Sequence, residues 1–142
     1  MTDPVLLNEG IARLVDLYTE RVLKRPHREV TLRGRKCRAR IMQTLLGLEV
    51  KAGRKRITCP DLATARYLRV FAEIGLPSVR IPYDPTVTRS LVSEVESSLE
   101  AIKTTGPPEG RRQCRVFGKL RTELQRAEQE QGEGLTISRK SP

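Results

Sequence analysis

The chain has 142 residues, of which 37% are hydrophobic and 31% charged, and 27 Lys and Arg against 17 Asp and Glu give a formal net charge of +10. This length suits one ordinary domain, and the composition is not that of a disordered or fibrous chain. The sequence has no run of about 18 apolar residues and starts with MTDPVLLNEG, which is acidic and interrupted, so we expect no membrane span, no secretory signal and a cytoplasmic location.

The N-terminal part of the chain predicts a helix followed by a strand. Residues 5–24 place Ile11, Leu14 and Tyr18 at helical spacing, which predicts an amphipathic helix. Residues 29–32 contain β-branched side chains ahead of a glycine-containing turn, which predicts a short strand.

The next segment, residues 36–46, fits two structures. Small or apolar residues alternate with arginine, as in a strand, at Cys37, Ala39 and Ile41. The residues that would form one apolar face of a helix are Ala39, Met42, Leu45 and Leu46. The sequence leaves both structures open.

Residues 47–59 predict a β-hairpin. Apolar side chains alternate with polar ones on both sides of a glycine, at Leu48, Val50, Ile57 and Cys59. The turn at 52–55 contains Arg54 and Lys55, so the tip of this hairpin is expected to be strongly basic.

Three further elements follow in the sequence. The range Pro60–Gly75 predicts a helix that has a proline in its first turn, then Asp61 near the positive end of the helix dipole, and that stops at a glycine. Residues 77–82 predict a short strand. Asp84 and Pro85 have the residue types of an N-cap and a first helical position, so another helix is expected there.

The expected fold is therefore α/β. A compact domain at 4–104 would contain a small mixed sheet flanked by helices, in the order α-β-β-β-α-β-α. Residues 105–142 are expected to form a linker, rich in Gly and Pro at 104–110, and a mobile, basic C-terminal extension that is helical or disordered.

The cysteines and the histidine do not form a metal-binding pattern. Cys37, Cys59 and Cys114 are far apart, no CxxC pair occurs, and His27 is the only histidine. A zinc site needs about four ligands with close pairs among them. On these grounds we expect no cofactor.

The positive charge is concentrated in one stretch. Residues 21–57 hold thirteen Lys and Arg against two acids, Glu29 and Glu49, a net charge of +11. Since the whole chain has +10, the remaining residues are close to neutral overall. Such a concentration is typical of proteins that contact a phosphate backbone.

The sequence therefore predicts a nucleic-acid-binding protein with an Arg/Lys-rich surface at residues 24–56. The residues expected to contact nucleic acid are Arg35, Lys36, Arg38, Arg40, Lys51, Arg54, Lys55 and Arg56. Because the chain has only five aromatic residues and no Trp, we expect duplex or structured DNA or RNA rather than extended single strands. No membrane partner is expected.

One part of the chain resembles a known enzyme superfamily. Glu49 and Lys51 share a face of a predicted strand, and a helix and a short strand follow. The segment LEVKAGRKRITCPDLATARYLRVFAEIGLPSVRIPY resembles part of the core of the PD-(D/E)xK nucleases, which include Holliday-junction resolvases. The resemblance runs from the third to the fourth strand of that core. This resemblance implies magnesium-dependent cleavage, with a metal held by Glu49 and the attacking water oriented by Lys51. It would assign Glu29 to the preceding acid and Glu9 to an extra acid on the first helix.

Two alternatives to cleavage stay open. A divalent cation is usually held by two or more carboxylates, and the basic stretch offers only Glu29 and Glu49, so binding without an enzymatic reaction is the first expectation. Glu49 would then form a cross-strand ion pair with Arg56. The other alternative is a small basic adaptor subunit that docks on an acidic protein or a ribonucleoprotein assembly.

Overall fold

The computed structural model describes residues 4–32, 39–107 and 110–139, and for residues 111–112 and 132–139 it describes the backbone only. The elements of this part of the chain are α1 Pro4–Tyr18, β1 His27–Thr31, β2 Ala39–Thr44, β3 Gly47–Ala52, β4 Lys55–Cys59, α2 Leu62–Ile74, β5 Ser78–Pro82, α3 Pro85–Thr105 and α4 Arg111–Arg139. A π-helical segment, Thr19–Leu23, continues α1 toward β1. No helix of the described residues has the length and apolar content needed to cross a membrane.

The strands form two antiparallel sheets. β1 pairs with β5, with His27 opposite Pro82 and Thr31 opposite Ser78. β2, β3 and β4 form a meander with β3 at its centre. The α/β class predicted from the sequence is confirmed, while the described strands divide into two sheets instead of one mixed sheet, with four strands rather than three before α2.

The segment that fitted both a strand and a helix is a strand over residues 39–44. Ile41 lies opposite Val50 of β3, which is fully buried, and Ile41 packs against the same core. Pairing with β3 satisfies the backbone of β2 while its alternate side chains cover apolar surface. The helical alternative is therefore wrong for these residues.

Short-range signals at the ends of α2 and α3 agree with the prediction except at the start of α2. Asp84 caps α3 by accepting a hydrogen bond of 2.9 Å from the Thr86 N–H, and Pro85 follows as the first helical residue, as predicted. α2 stops at Gly75, which has a φ of 94°. Its start differs from the prediction: Asp61 is itself the N-cap and accepts 2.8 Å from the Thr64 N–H, so Pro60 lies outside the helix.

The centre of the core is aromatic. The ring of Phe71 lies 5.4 Å from that of Tyr18 and 4.9 Å from that of Tyr67, measured between centroids. The Tyr67 hydroxyl donates 2.6 Å to the Arg80 carbonyl, so a fully buried phenol is satisfied by the backbone of β5. These contacts join α1, α2 and the β1–β5 sheet.

α4 completes this core. Phe117, Leu120 and Leu124 are all 1% exposed or less. Arg121 Nη1 donates 2.7 Å to the Ile74 carbonyl at the end of α2, which satisfies a carbonyl that the helix itself leaves open. The buried core thus includes residues that the sequence assigned to the extension beyond residue 104.

Candidate nucleic-acid interface

The β2–β3–β4 sheet has a buried face and an outer face. Side chains alternate along each strand, and on β3 Val50 and Ala52 are fully buried on the face that packs against α2. The alternate positions of the three strands form the outer face, namely Arg40, Met42, Thr44, Glu49, Lys51, Arg56 and Thr58. Both residues of the predicted catalytic pair therefore lie on the outer face.

Three cations lie side by side on this face. Arg40 is opposite Lys51 across β2 and β3, and Lys51 is opposite Arg56 across β3 and β4. Neighbouring strands are about 4.8 Å apart, so the row spans roughly 10 Å of backbone. Arg40 and Arg56 are exposed and Lys51 is half-buried. We refer to Arg40, Lys51 and Arg56 as the cationic row.

The β3–β4 turn extends the positive charge beyond the cationic row. Gly53 has a φ of 61°, and Arg54 and Lys55 beside it are both exposed. The turn lies only one residue pair beyond the row, since Ala52 pairs with Lys55. The hairpin predicted at residues 47–59 is confirmed, and five cations of the sequence prediction lie at one end of one sheet.

The acidic side chains that form ion pairs have partners outside the cationic row. Within the described residues, the longer-range pairs are those of Glu96 with Arg66 and Arg69, Glu73 with Lys103, Glu94 with Arg21, and Glu29 with Arg80. The hydrogen bond from Arg66 lowers the pKa of the Glu96 carboxyl, as a close pair does. No ion pair in this part of the chain involves the cationic row or the β3–β4 turn.

Glu49 does not form the ion pair with Arg56 that the sequence suggested. The register puts Glu49 opposite Met42 and Thr58, while Arg56 lies opposite Lys51. Glu49 is only 6% exposed, and among the described residues its buried Oε1 has no hydrogen-bond partner. A buried carboxylate oxygen of this kind costs free energy, so the outer face contains one unsatisfied acceptor next to three cations.

The acids that the nuclease resemblance would bring together lie on separate elements. Glu49 is on β3, while Glu29 is on β1, in the other sheet, where it lies 3.5 Å from Arg80 and accepts 3.3 Å from the Ser78 hydroxyl. Glu9 is on α1. In the described ranges, no three His, Cys, Asp or Glu side chains are grouped as metal ligands.

Searches of protein-family models, of curated proteins and of solved structures find no match to this chain.

Other basic residues of the predicted surface at 24–56 lie on other elements or outside the described residues. Arg35, Lys36 and Arg38 lie outside the described residues. Lys24, at the edge of the predicted surface, is 2.7 Å from Glu20 one helical turn earlier, and Arg28 of β1 is exposed without an ion pair among the described residues. The described part of the predicted surface is thus concentrated at the β2–β3–β4 sheet.

One feature of the same sheet was missed from the sequence. Leu45 and Leu46 form the β2–β3 turn and are 106% and 81% exposed. From the sequence, both residues were expected only in the apolar face of the helical alternative for residues 36–46. The signal that could have identified them is Gly47. Two residues that connect two strand patterns and are followed by a glycine are typical of a tight turn.

Proposed function

We propose that this protein binds nucleic acid through the cationic row and the adjoining β3–β4 turn. The observation that carries the proposal is that Arg40 and Arg56 both lie directly opposite Lys51, and that the three form no ion pair among the described residues. Like charges in directly opposite positions of a sheet destabilise it. A phosphate backbone supplies the opposite charge that the sheet lacks.

The spacing of the cations supports a polyanion rather than a single small anion. Three cations spread over roughly 10 Å of backbone, with two more at the turn, carry more positive charge than one phosphate neutralises. A nucleic-acid strand offers a charge at each nucleotide, and each neutralised phosphate releases condensed counterions. Affinity from this source is largely independent of sequence and strongly dependent on salt.

The aromatic residues support a duplex or a structured nucleic acid. Of the five rings in the chain, Tyr18, Tyr67, Phe71 and Phe117 are buried in the core. Tyr83 is 64% exposed, but it follows β5 and is not part of the β2–β3–β4 sheet. The cationic face therefore offers no stacking platform within the described residues, and such platforms are what single-strand binders commonly use.

The test is the salt dependence of binding to labelled duplex DNA, duplex RNA and single strands. About five phosphate contacts give a slope of log K against log salt of about −4 to −5 on a duplex. Replacing Arg40, Lys51 and Arg56 together by Ala should reduce the steepness by about 2 to 3 and weaken binding to every sequence alike.

A matched control removes the same charge elsewhere. Arg13, Arg89 and Arg115 are exposed, lie on α1, α3 and α4, and form no ion pair among the described residues. Their triple Ala variant should retain most of the affinity. Equal losses of affinity in the two variants would show that binding depends only on net charge and not on the cationic row. An affinity that does not change with salt would also contradict the proposal.

A metal-dependent nuclease is the second candidate, because of Glu49. Its carboxylate shares a face with Lys51, and its Oε1 is buried without a partner in the described region. Binding of a phosphate backbone at the cationic row would bring a phosphodiester to the same face. The cleavage experiment with Glu49→Gln, given in the Discussion, separates this candidate from binding alone.

A further inference from the structure

The most exposed large apolar side chains of the described residues are those of Leu45 and Leu46. They form the turn between β2 and β3, the two strands that carry Arg40 and Lys51. We refer to Leu45 and Leu46 as the leucine tip. It lies at the end of the sheet opposite to the β3–β4 turn, since Thr44 pairs with Gly47 at one end and Ala52 with Lys55 at the other.

Neither the turn nor the core requires leucine at these positions. Gly47 takes the positive φ of the turn, 113°, so both leucines keep ordinary negative φ values that any residue adopts. The Thr44 hydroxyl fixes the turn: it donates 3.1 Å to the Gly47 carbonyl and accepts 3.1 Å from the Leu46 N–H. Neither leucine belongs to the apolar core or to the side chains packed against it.

The leucine tip and the cationic row belong to one continuous hairpin. Leu45 lies five positions after Arg40, which at about 3.4 Å per residue is roughly 17 Å along the strand. The side chains of the row project from the outer face, whereas the tip extends beyond the end of the strands. A partner that contacts both must cover the face of the sheet and turn around its end.

We propose that the leucine tip inserts between base pairs of a double-stranded nucleic acid that the cationic row holds by its phosphates, and that the duplex bends there. This inference rests on the proposed function. Aliphatic side chains inserted between base steps unstack them and kink the duplex, which lets it contact more protein surface. An unstacked base step can receive the two leucines while neighbouring phosphates face the cationic row, so a kinked duplex offers a partner for both parts of the hairpin.

The insertion predicts which duplexes bind best. Unstacking a base step costs free energy, and the cost is lower at flexible pyrimidine–purine steps and at mismatched base pairs. The protein should therefore prefer a duplex with a central mismatch to a fully paired duplex of the same composition, by about tenfold. The preference arises at the leucine tip, while the affinity common to all duplexes arises at the cationic row.

The experiment compares end-labelled paired and mismatched duplexes, of DNA and of RNA, by affinity and by energy transfer between their ends. The wild-type chain should shorten the end-to-end distance and prefer the mismatch. The Leu45→Ser/Leu46→Ser variant should lose the bending and the preference but keep the salt slope and bind the paired duplex within about threefold of wild type. Leu45→Met/Leu46→Met should restore both, since Met also serves as a wedge.

Two controls make the outcomes distinct. Leu62→Ser removes another exposed leucine, at the start of α2, and should change neither readout. Vesicles of phosphatidylserine test a lipid surface as the alternative partner. The inference would be overturned if the wild type bound these vesicles without bending a duplex, and if the Leu45→Ser/Leu46→Ser variant did not bind them. Duplex binding without bending or mismatch preference would overturn it and leave the proposed function intact, whereas absence of any duplex binding would overturn both.

Discussion

Tyr18 and Glu128, 110 positions apart in the sequence, are joined by a hydrogen bond of 2.5 Å from the tyrosine hydroxyl to the carboxylate Oε2. The same hydroxyl accepts 2.8 Å from the Arg80 N–H, so one buried oxygen connects α1, β5 and α4. Burial raises the pKa of Tyr18 well above its ordinary value, which keeps the hydroxyl as the donor at neutral pH.

The first prediction concerns the pH dependence of stability. Burial raises the pKa of the Glu128 carboxyl above its ordinary value of 4.5, although the bond from Tyr18 and the charge of Arg80 oppose the shift. The folded state then holds a proton more readily than the unfolded state, so this contribution to stability is present below pH 4.5 and is lost as the pH rises through the folded value.

Glu128→Gln removes that titration and retains an acceptor for Tyr18. The difference in melting temperature between the variant and the wild type should therefore shift in favour of the variant as the pH is raised from below 4.5 to neutral, because only the wild type loses this proton-linked contribution. A difference that stays constant over this range, in parallel thermal melts, would contradict the assignment. Tyr18→Phe, which retains the ring, should be destabilised at every pH because Glu128 loses its donor.

The second prediction is that α4 stabilises the whole fold. Leu120→Ala leaves a cavity at a fully buried site and should lower the free energy of unfolding by about 2 to 5 kcal/mol. Arg115→Ala, on an exposed position of the same helix, should change it by no more than about 0.5 kcal/mol. Urea unfolding measures both, and equal stabilities would show that α4 does not pack as described.

The third prediction concerns the β3–β4 turn. Arg54→Ala/Lys55→Ala removes two exposed cations with little packing role, so thermal stability should stay within about 0.5 kcal/mol of wild type while duplex affinity falls at low salt. Titrations at several salt concentrations should give a slope less steep by about 2. Lost stability with unchanged affinity would mean that these side chains pack rather than bind.

The fourth prediction separates binding from cleavage. We expect neither the wild-type chain nor Glu49→Gln to cut plasmid DNA or structured RNA with magnesium or manganese, because a divalent cation usually needs more than one carboxylate. The variant also removes an acid from the cationic face and should bind a duplex at least as tightly as wild type. Cleavage by the wild type that disappears in the variant would instead establish the nuclease candidate.

The local features of the fold could be predicted from the sequence because a few neighbouring residues determine them. Asp84 and Pro85 specify the start of α3, and Gly75 the end of α2, through hydrogen bonds and φ angles within one turn. The β3–β4 hairpin was predicted because its alternation and its glycine lie within thirteen residues. The concentration of positive charge in residues 21–57 is likewise a property of the sequence alone.

The tertiary structure decided what depends on distant partners. The segment 39–44 fits a helix or a strand until β3 pairs with it, and that choice moves Leu45 and Leu46 from an apolar face to an exposed turn. The burial of α4 depends on surface supplied by α1 and α2. Local pattern cannot supply these contacts, because the free energy that favours them comes from residues far away in the chain.

The same division holds for the candidate interface. The sequence predicted Lys51 and Arg56 as basic residues of a hairpin. Only the strand register showed that Lys51, and not Glu49, lies opposite Arg56. The register also placed Arg40 of β2 opposite Lys51. Residues 54–56 alone reveal a basic tip, whereas the cationic row needs three strands. The sequence determined that the charge is concentrated, and the pairing of the strands determined its geometry, since register sets which side chains share a row.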